Sequence, residues 1–144
     1  MTACTLRPAR PADAAAWQRL RAARREGDDP AAEIARYFAG TLDEPQGVLL
    51  AIALSGEVVS HVELSIREDV PGLIGIATGD IEGLYIVPGQ RTLALRRRLL
   101  RASEHRACGQ GCRAFASDRE DRVIAHARFE GAPPTQSHPR SCTP

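Results

Sequence analysis

The sequence predicts a single α/β domain built on a mixed sheet, and three observations carry that prediction. Segments with an apolar period of two alternate with segments of helical period, in the order βααβββαβα. The chain has 144 residues, 43% hydrophobic and 26% charged, which supplies one core but not two. No Pro/Gly/Ser-rich linker and no internal repeat divides it.

Residues 3–8 form a short strand. Pro11 then opens an Ala-rich run to Arg25, in which Trp17 and Leu20 lie three apart on one stripe, a short helix with one buried side. Asp29 and Pro30 read as N-cap and first turn of a second helix. Its Ile34, Tyr37, Phe38 and Leu42 recur at helical spacing, and Gly40 stands near the stop. Residues 47–54, GVLLAIAL, are too short and too uniformly apolar for a surface helix, so they read as a buried strand entering a hairpin at Ser55-Gly56.

From Val58 the pattern alternates. Val58, Val62, Leu64 and Ile66, with Ser60, share the core face. His61, Glu63, Ser65 and Arg67 share the other, which is expected to be half wet. Residues 68–79, with Pro71 and three glycines, read as a long loop. Ile81 to Val87 is the next strand, ended by Pro88-Gly89. Arg91 to Arg106 is an amphipathic helix with Leu95, Leu99 and Ala102 on its stripe and Arg97, Arg101 and Glu104 off it. A strand at 113–117 and a short helix around 120–129 follow. The tail 131–144 has four prolines and no large apolar residue, so burial cannot offset the entropy of ordering it, and disorder is expected.

Charge excludes several classes of partner. Nineteen basic residues, all arginine, face 18 acidic ones, so nothing global recommends nucleic acid or an anionic membrane. No apolar run reaches the roughly 18 residues of a membrane span, and residues 1–10 lack an apolar signal core, which points to a cytoplasmic protein. Cys4, Cys108, Cys112 and Cys142 are then expected as reduced thiols. Cys108 and Cys112 with His105 and His126 lack a second cysteine pair at metal spacing, so no metal is expected. Arg96, Arg97, Arg98, Arg101 and Arg106 read mainly as a solvated helix face.

One juncture invites chemistry. The strand IEGLYIVP, 81–88, runs through GQRTLALRRRLL into a helix N-terminus, where unpaired N–H groups and the positive dipole end suit a pyrophosphate. With LSIRED (64–69), GCRAFASD (111–118), DRVIAHA (121–127) and the early AAAWQRLR around Trp17, these pieces stand in consistent order over residues 5–127. In them the chain resembles the Gcn5-related N-acetyltransferases (GNAT), specifically the chromosomal-type aminoglycoside 6'-N-acetyltransferases.

That resemblance implies a mostly antiparallel sheet in an acetyltransferase-like domain over residues 1–130. It implies acetyl-CoA along the strand end Leu84, Tyr85, Ile86 and Val87, with the pyrophosphate held by the loop Gln90 to Arg96, of which Gln90, Arg91, Ala94, Leu95 and Arg96 are the binding candidates. Glu82 and Asp118 are implied as the carboxylates that face the aminoglycoside. A polycationic sugar needs such carboxylates, and one near the 6'-ammonium can take its proton before the amine attacks the thioester. Backbone N–H groups from Leu84 to Ile86 would polarise the thioester carbonyl. The resemblance also admits a homodimer.

The chain departs from the family at identifiable points. The phosphate loop reads Arg91-Thr92-Leu93-Ala94-Leu95-Arg96, with Ala94 in place of glycine and Arg96 in place of a small residue, and weaker coenzyme binding is the expectation. Arg25 stands where relatives carry a tryptophan wall of the sugar pocket, and the loop is one residue shorter between Asp69 and Val70, without the family's tyrosine. After Ala127 the family pattern stops, so its last strands are expected to be missing or altered. Two alternatives stand beside the acetyltransferase: a remnant that only binds aminoglycoside or CoA, and an acetyltransferase for another small amine.

Overall fold

The computed structural model describes residues 3–25, 27 and 29–117. Five strands, β1 (Cys4–Pro8), β2 (Gly47–Ala53), β3 (Val58–Arg67), β4 (Thr78–Ile86) and β5 (Ala114–Ser117), form one sheet in that spatial order. Neighbours from β1 to β4 are antiparallel, and β5 runs parallel to β4. Among the described residues there are also three α-helices, α1 (Ala14–Arg24), α2 (Ala31–Ala39) and α3 (Leu93–Gly109), and two short 3-10 turns, Pro11–Asp13 and Pro88–Gln90. The expected helix around 120–129 and the tail 131–144 lie outside the described residues.

The sheet is covered on both faces, which explains why β2 is apolar at almost every position. Alternate residues of β2 serve different cores: Leu49 and Ala51 join Leu95, Leu99 and Ala107 of α3, whereas Val48 and Leu50 join Trp17, Leu20 and Ile34 of α1 and α2. Leu99 and Trp17 are fully buried. Trp17 meets Tyr37 and Phe38 edge-on, at ring centroid distances of 5.1 and 5.8 Å. Among the described residues no helix is long and apolar enough to cross a membrane.

Local chemistry sets the element ends. Gly40 ends α2 at φ 79°, a left-handed conformation that glycine adopts without Cβ strain. The N-cap position of α2 is Pro30, without a side-chain bond, so Asp29 is not the cap expected of it. At the start of α3 the Thr92 hydroxyl accepts from the Leu95 N–H at 3.1 Å. Asp13 joins β1 to α1: it accepts from the Arg10 N–H at 2.8 Å and from Arg7 at 2.7 Å, and the bond from Arg7 holds its carboxyl below the usual carboxylate range.

Several boundaries and faces differ from the sequence expectation for reasons the packing supplies. β4 begins at Thr78 rather than Ile81, because Thr78, Gly79 and Asp80 pair with Arg67, Ile66 and Ser65 on one side and with Ala114, Phe115 and Ala116 on the other. Helix α3 runs to Gly109 and buries Glu104, expected off the apolar stripe. Val58 packs with α1 and α2, not with Val62 and Leu64, because Val59 is an extra residue between the pairs Ala51–Ser60 and Ile52–Val58. Cys108 is disulfide-bonded, against the expectation of reduced thiols, whereas Cys4 and Cys112 are free. Burial pushes the Cys112 thiol up to about 11, so it behaves as an inert core residue.

Gly79 marks the closest approach of helix to sheet. A Cβ there would lie 2.5 Å from the Ala107 Cβ of α3. Both groups belong to rigid elements, so Gly79→Ala is expected to cost about 1–3 kcal/mol. A urea titration followed by circular dichroism measures this, and an unchanged midpoint would refute the close approach.

Candidate active site

The β3 face expected to be half wet is mostly buried, and it organises the site. His61, Glu63 and Ser65 are buried, Glu63 beneath α1, and Arg67 reaches the rim. Glu63, 3% exposed, accepts from the Trp17 indole N–H at 3.0 Å. Arg21 Nε and Arg24 Nη2 each stand 3.7 Å from its carboxylate, and Arg21 pairs in addition with Glu33. A buried charge is thereby met from three sides, which its desolvation requires.

His61 is 0% exposed, and its ring stacks on Tyr85 at 6.5 Å between centroids. Its Nδ1 is 3.5 Å from Glu63 Oε2, yet neither ring nitrogen makes a hydrogen bond. Burial first, then the charges of Arg24 and Arg21, push its pKa down to about 3, so the imidazole is neutral and the contact is not an ion pair. The unfolded chain takes up this proton near the ordinary histidine value and the folded chain does not. Stability from this group is therefore full above about pH 6.5 and is lost as pH falls from there toward 3, at about 1.4 kcal/mol per unit. Urea midpoints between pH 7 and 5 should fall more steeply for the native chain than for His61→Gln; parallel slopes would contradict a buried neutral imidazole.

Glu82 occupies a bulge in β4. Glu63 pairs with Gly83 and Leu64 with Ile81, so Glu82 is the extra residue, and its side chain joins the polar face of β3. It accepts from the Ser65 hydroxyl and from Arg67 Nη2 at 2.9 Å. Arg67 also meets Glu44 at 3.0 Å and Asp80 at 3.2 Å. Four charged side chains from β3, β4 and the segment before β2 thus converge at one rim. Gly83 is bare for a reason: the Arg24 guanidinium lies where its Cβ would be.

Beyond the bulge the sheet opens. β5 ends at Ser117, opposite Ile81, so Leu84 to Ile86 have no strand beside them on that edge among the described residues. Val87 donates to Val59 O at 2.9 Å, and strand alternation then turns the backbone groups of Tyr85 toward β3 and those of Leu84 and Ile86 toward the open edge. Of these N–H groups, those of Leu84 and Ile86 point to the open edge and that of Tyr85 points to β3.

The loop after β4 returns to this edge. Arg91 Nε donates to Ile86 O at 2.6 Å, and its guanidinium stands 5.3 Å from the Tyr85 ring centroid. Gln90 Oε1 is shielded from solvent and accepts no hydrogen bond. Ala94 is exposed at the first turn of α3, Arg96 is half-buried and Leu95 is buried. Leu95 therefore anchors the helix, and its N–H is already taken by Thr92. Val87 is half-buried and packs with the cores on both faces of the sheet. Asp118 lies outside the described residues. Arg25 is exposed at the C-terminus of α1, and Val70 is half-buried.

The family resemblance named Glu82 as a site residue, but Arg67, Asp80 and Glu44 beside it were not singled out. Arg67 shares the strand period of His61 and Glu63, which was a usable signal; Glu44 reaches the rim only through the tertiary fold. Among the described residues no group of three or more His, Cys, Asp or Glu could hold a metal ion.

Comparison with known proteins places this geometry. The acetyltransferase (GNAT) family model matches residues 14–130. An aminoglycoside N(6')-acetyltransferase type 1 of Stenotrophomonas maltophilia is 40% identical over 129 residues, 88% of this chain and 82% of the relative. Its namesake from Klebsiella aerogenes is 35% identical over 78% of this chain and 76% of its own. The solved structure of aminoglycoside N-acetyltransferase AAC(6')-Iy in complex with CoA superposes with a TM-score of 0.72 at 24% identity, over 83% of this chain and 79% of that one, and so shares its fold. The chain belongs to the acetyltransferase (GNAT) family.

Proposed function

We propose that the chain is an acetyl-CoA-dependent aminoglycoside 6'-N-acetyltransferase, a resistance enzyme. The observation that carries this reading is the position of Glu82, at the bulge where the row of carboxylates ends and the open edge of β4 begins. A cationic acceptor on one side and an acyl donor on the other would meet there. The reading is supported by relatives named for that activity at 35% and 40% identity.

The residues present suit the coenzyme. An unpaired strand edge and an exposed helix start offer backbone donors along the line from Leu84 to Ala94. Bound acetyl-CoA supplies the thioester that the amine attacks. Glu82, with Asp118 as the second carboxylate, binds the 6'-ammonium and takes its proton directly or through a water. The Leu84 and Ile86 N–H groups face the charge that develops on the carbonyl oxygen. Gln90, Arg91, Ala94 and Arg96 hold the pyrophosphate end. A cytoplasmic place of work follows from the need for acetyl-CoA, and pairing into a homodimer is open to light scattering.

Thiol release from acetyl-CoA by the full chain, with and without tobramycin, tests the proposal. Amine-dependent release is expected; none from a folded chain would leave the binding-only remnant. That second reading draws on Ala94 and on Arg91, which is already bonded to the Ile86 carbonyl. Ala94→Gly is therefore expected to tighten CoA binding severalfold in calorimetry, because the removed Cβ obstructs close backbone approach to phosphate. An unchanged dissociation constant would clear Ala94 of that role.

A further inference from the structure

Ser65 touches the candidate base, and the transfer chemistry above gives it no part. It lies on β3 level with Asp80 and is 0% exposed. Glu82 follows Asp80 by two residues on β4 and so shares the face that carries Ser65, whose hydroxyl donates to Glu82 Oε2. Arg67 Nη2 donates to the same oxygen at 2.9 Å. Glu82 Oε1 accepts no hydrogen bond among the described residues, although the side chain is 24% exposed. The donors are thus divided unevenly: one oxygen of the carboxylate is held twice, and the other is left free.

We propose that Ser65 is a positioning residue for acetyl transfer: by fixing Glu82 Oε2 it turns Oε1 toward the acceptor amine and makes that oxygen the one that takes the proton. The inference rests on the acceptor reading above and deepens it. The last torsion of a glutamate is broad, so the backbone alone does not choose which oxygen faces the substrate. A carboxylate attracts an ammonium in any orientation, whereas proton transfer needs the accepting oxygen within hydrogen-bond reach, directly or through one water. A hydroxyl carried by a single carbon on a paired strand is a stiff tether. Arg67 reaches Oε2 from a longer, 32% exposed side chain that also serves Glu44, so it holds the oxygen less firmly. One proton moves, from the ammonium nitrogen to Oε1, and the lone pair stays on nitrogen for the attack.

The test compares the full native chain, Ser65→Ala, Glu82→Gln and the double variant in tobramycin-dependent thiol release, with thermal unfolding to follow the fold. Ser65→Ala keeps the carboxylate and Arg67, so KM for tobramycin should stay within about threefold while kcat falls about ten- to hundredfold. In the Glu82→Gln background no side-chain oxygen at that position can take a proton. The same substitution should there change kcat by less than about twofold, because a residue that acts through Glu82 has nothing left to position. Ser65→Cys keeps a weak donor in place, so its kcat should lie between those of the native chain and Ser65→Ala, which keeps the test decisive should the alanine variant unfold. An unchanged kcat, a loss carried by KM alone, or an equal loss in both backgrounds overturns the proposal. A native chain that releases no thiol overturns the acceptor reading and this inference together, whereas native turnover with unaffected Ser65 variants removes Ser65 alone.

Discussion

Glu82→Gln is expected to lower kcat/KM for amine acetylation by about 10²–10⁴-fold, the range that a positioned general base contributes. The substitution is nearly isosteric, and an amide oxygen can still accept from the Ser65 hydroxyl and from Arg67. The bulge and the open edge should therefore survive, and CoA should bind as before in calorimetry. What disappears is a negative charge beside the ammonium and a group able to take its proton. Raising the pH should recover part of the rate, since an amine that has already lost its proton no longer needs the carboxylate. A variant with native activity at neutral pH would remove Glu82 from the reaction; one that also loses CoA would show a collapsed site instead.

Trp17→Ala should be the most damaging change to stability, at about 3–5 kcal/mol for the deleted volume. The indole is fully buried and meets Tyr37 and Phe38 edge-on. It also provides a hydrogen bond to the buried Glu63 at 3.0 Å. Trp17→Phe separates the two effects: it keeps most of the packing and leaves the Glu63 oxygen short of a donor, at a cost of about 1–3 kcal/mol. The chain has a single tryptophan, so fluorescence is lost in both variants and circular dichroism has to follow the urea transitions. If Trp17→Phe proves as stable as the native chain, Arg21 and Arg24 alone satisfy Glu63.

What the sequence disclosed, and what it withheld, divides along physical lines. β2, β3 and α3 were legible because their apolar periods are local, and Gly40 and Ser55-Gly56 end their elements as expected. The His61 and Glu63 face was read as half wet because alternation shows that two faces differ, not what covers each one. Only the fold brings Trp17, Arg21 and Arg24 over it. The start of β4 was missed because Gly79 and Asp80 have weak strand preference and are held by partners on both sides. Glu82 and the strand Leu84 to Val87 entered through family resemblance. Alternation placed Arg67 on the face of His61 and Glu63 but did not show what it meets there, because its three carboxylate partners are distant in sequence.

The extra residue at Glu82 also acts as a parity switch along β4. Before it, Asp80 lies level with Ser65 and Ile81 with Leu64; after it, Gly83 lies level with Glu63. Had the strand continued without interruption, Gly83 and Tyr85 would point into the α3 layer, and Leu84 and Ile86 into the layer of charges. Deleting one residue at this point would therefore do more than remove a carboxylate. It would invert the strand's last four side chains between two incompatible environments, setting Leu84 and Ile86 among the arginines and the Tyr85 ring against Leu95 and Leu99. Length here is as constrained as identity, and one-residue insertions or deletions in β4 should be tolerated far less than most single substitutions in it.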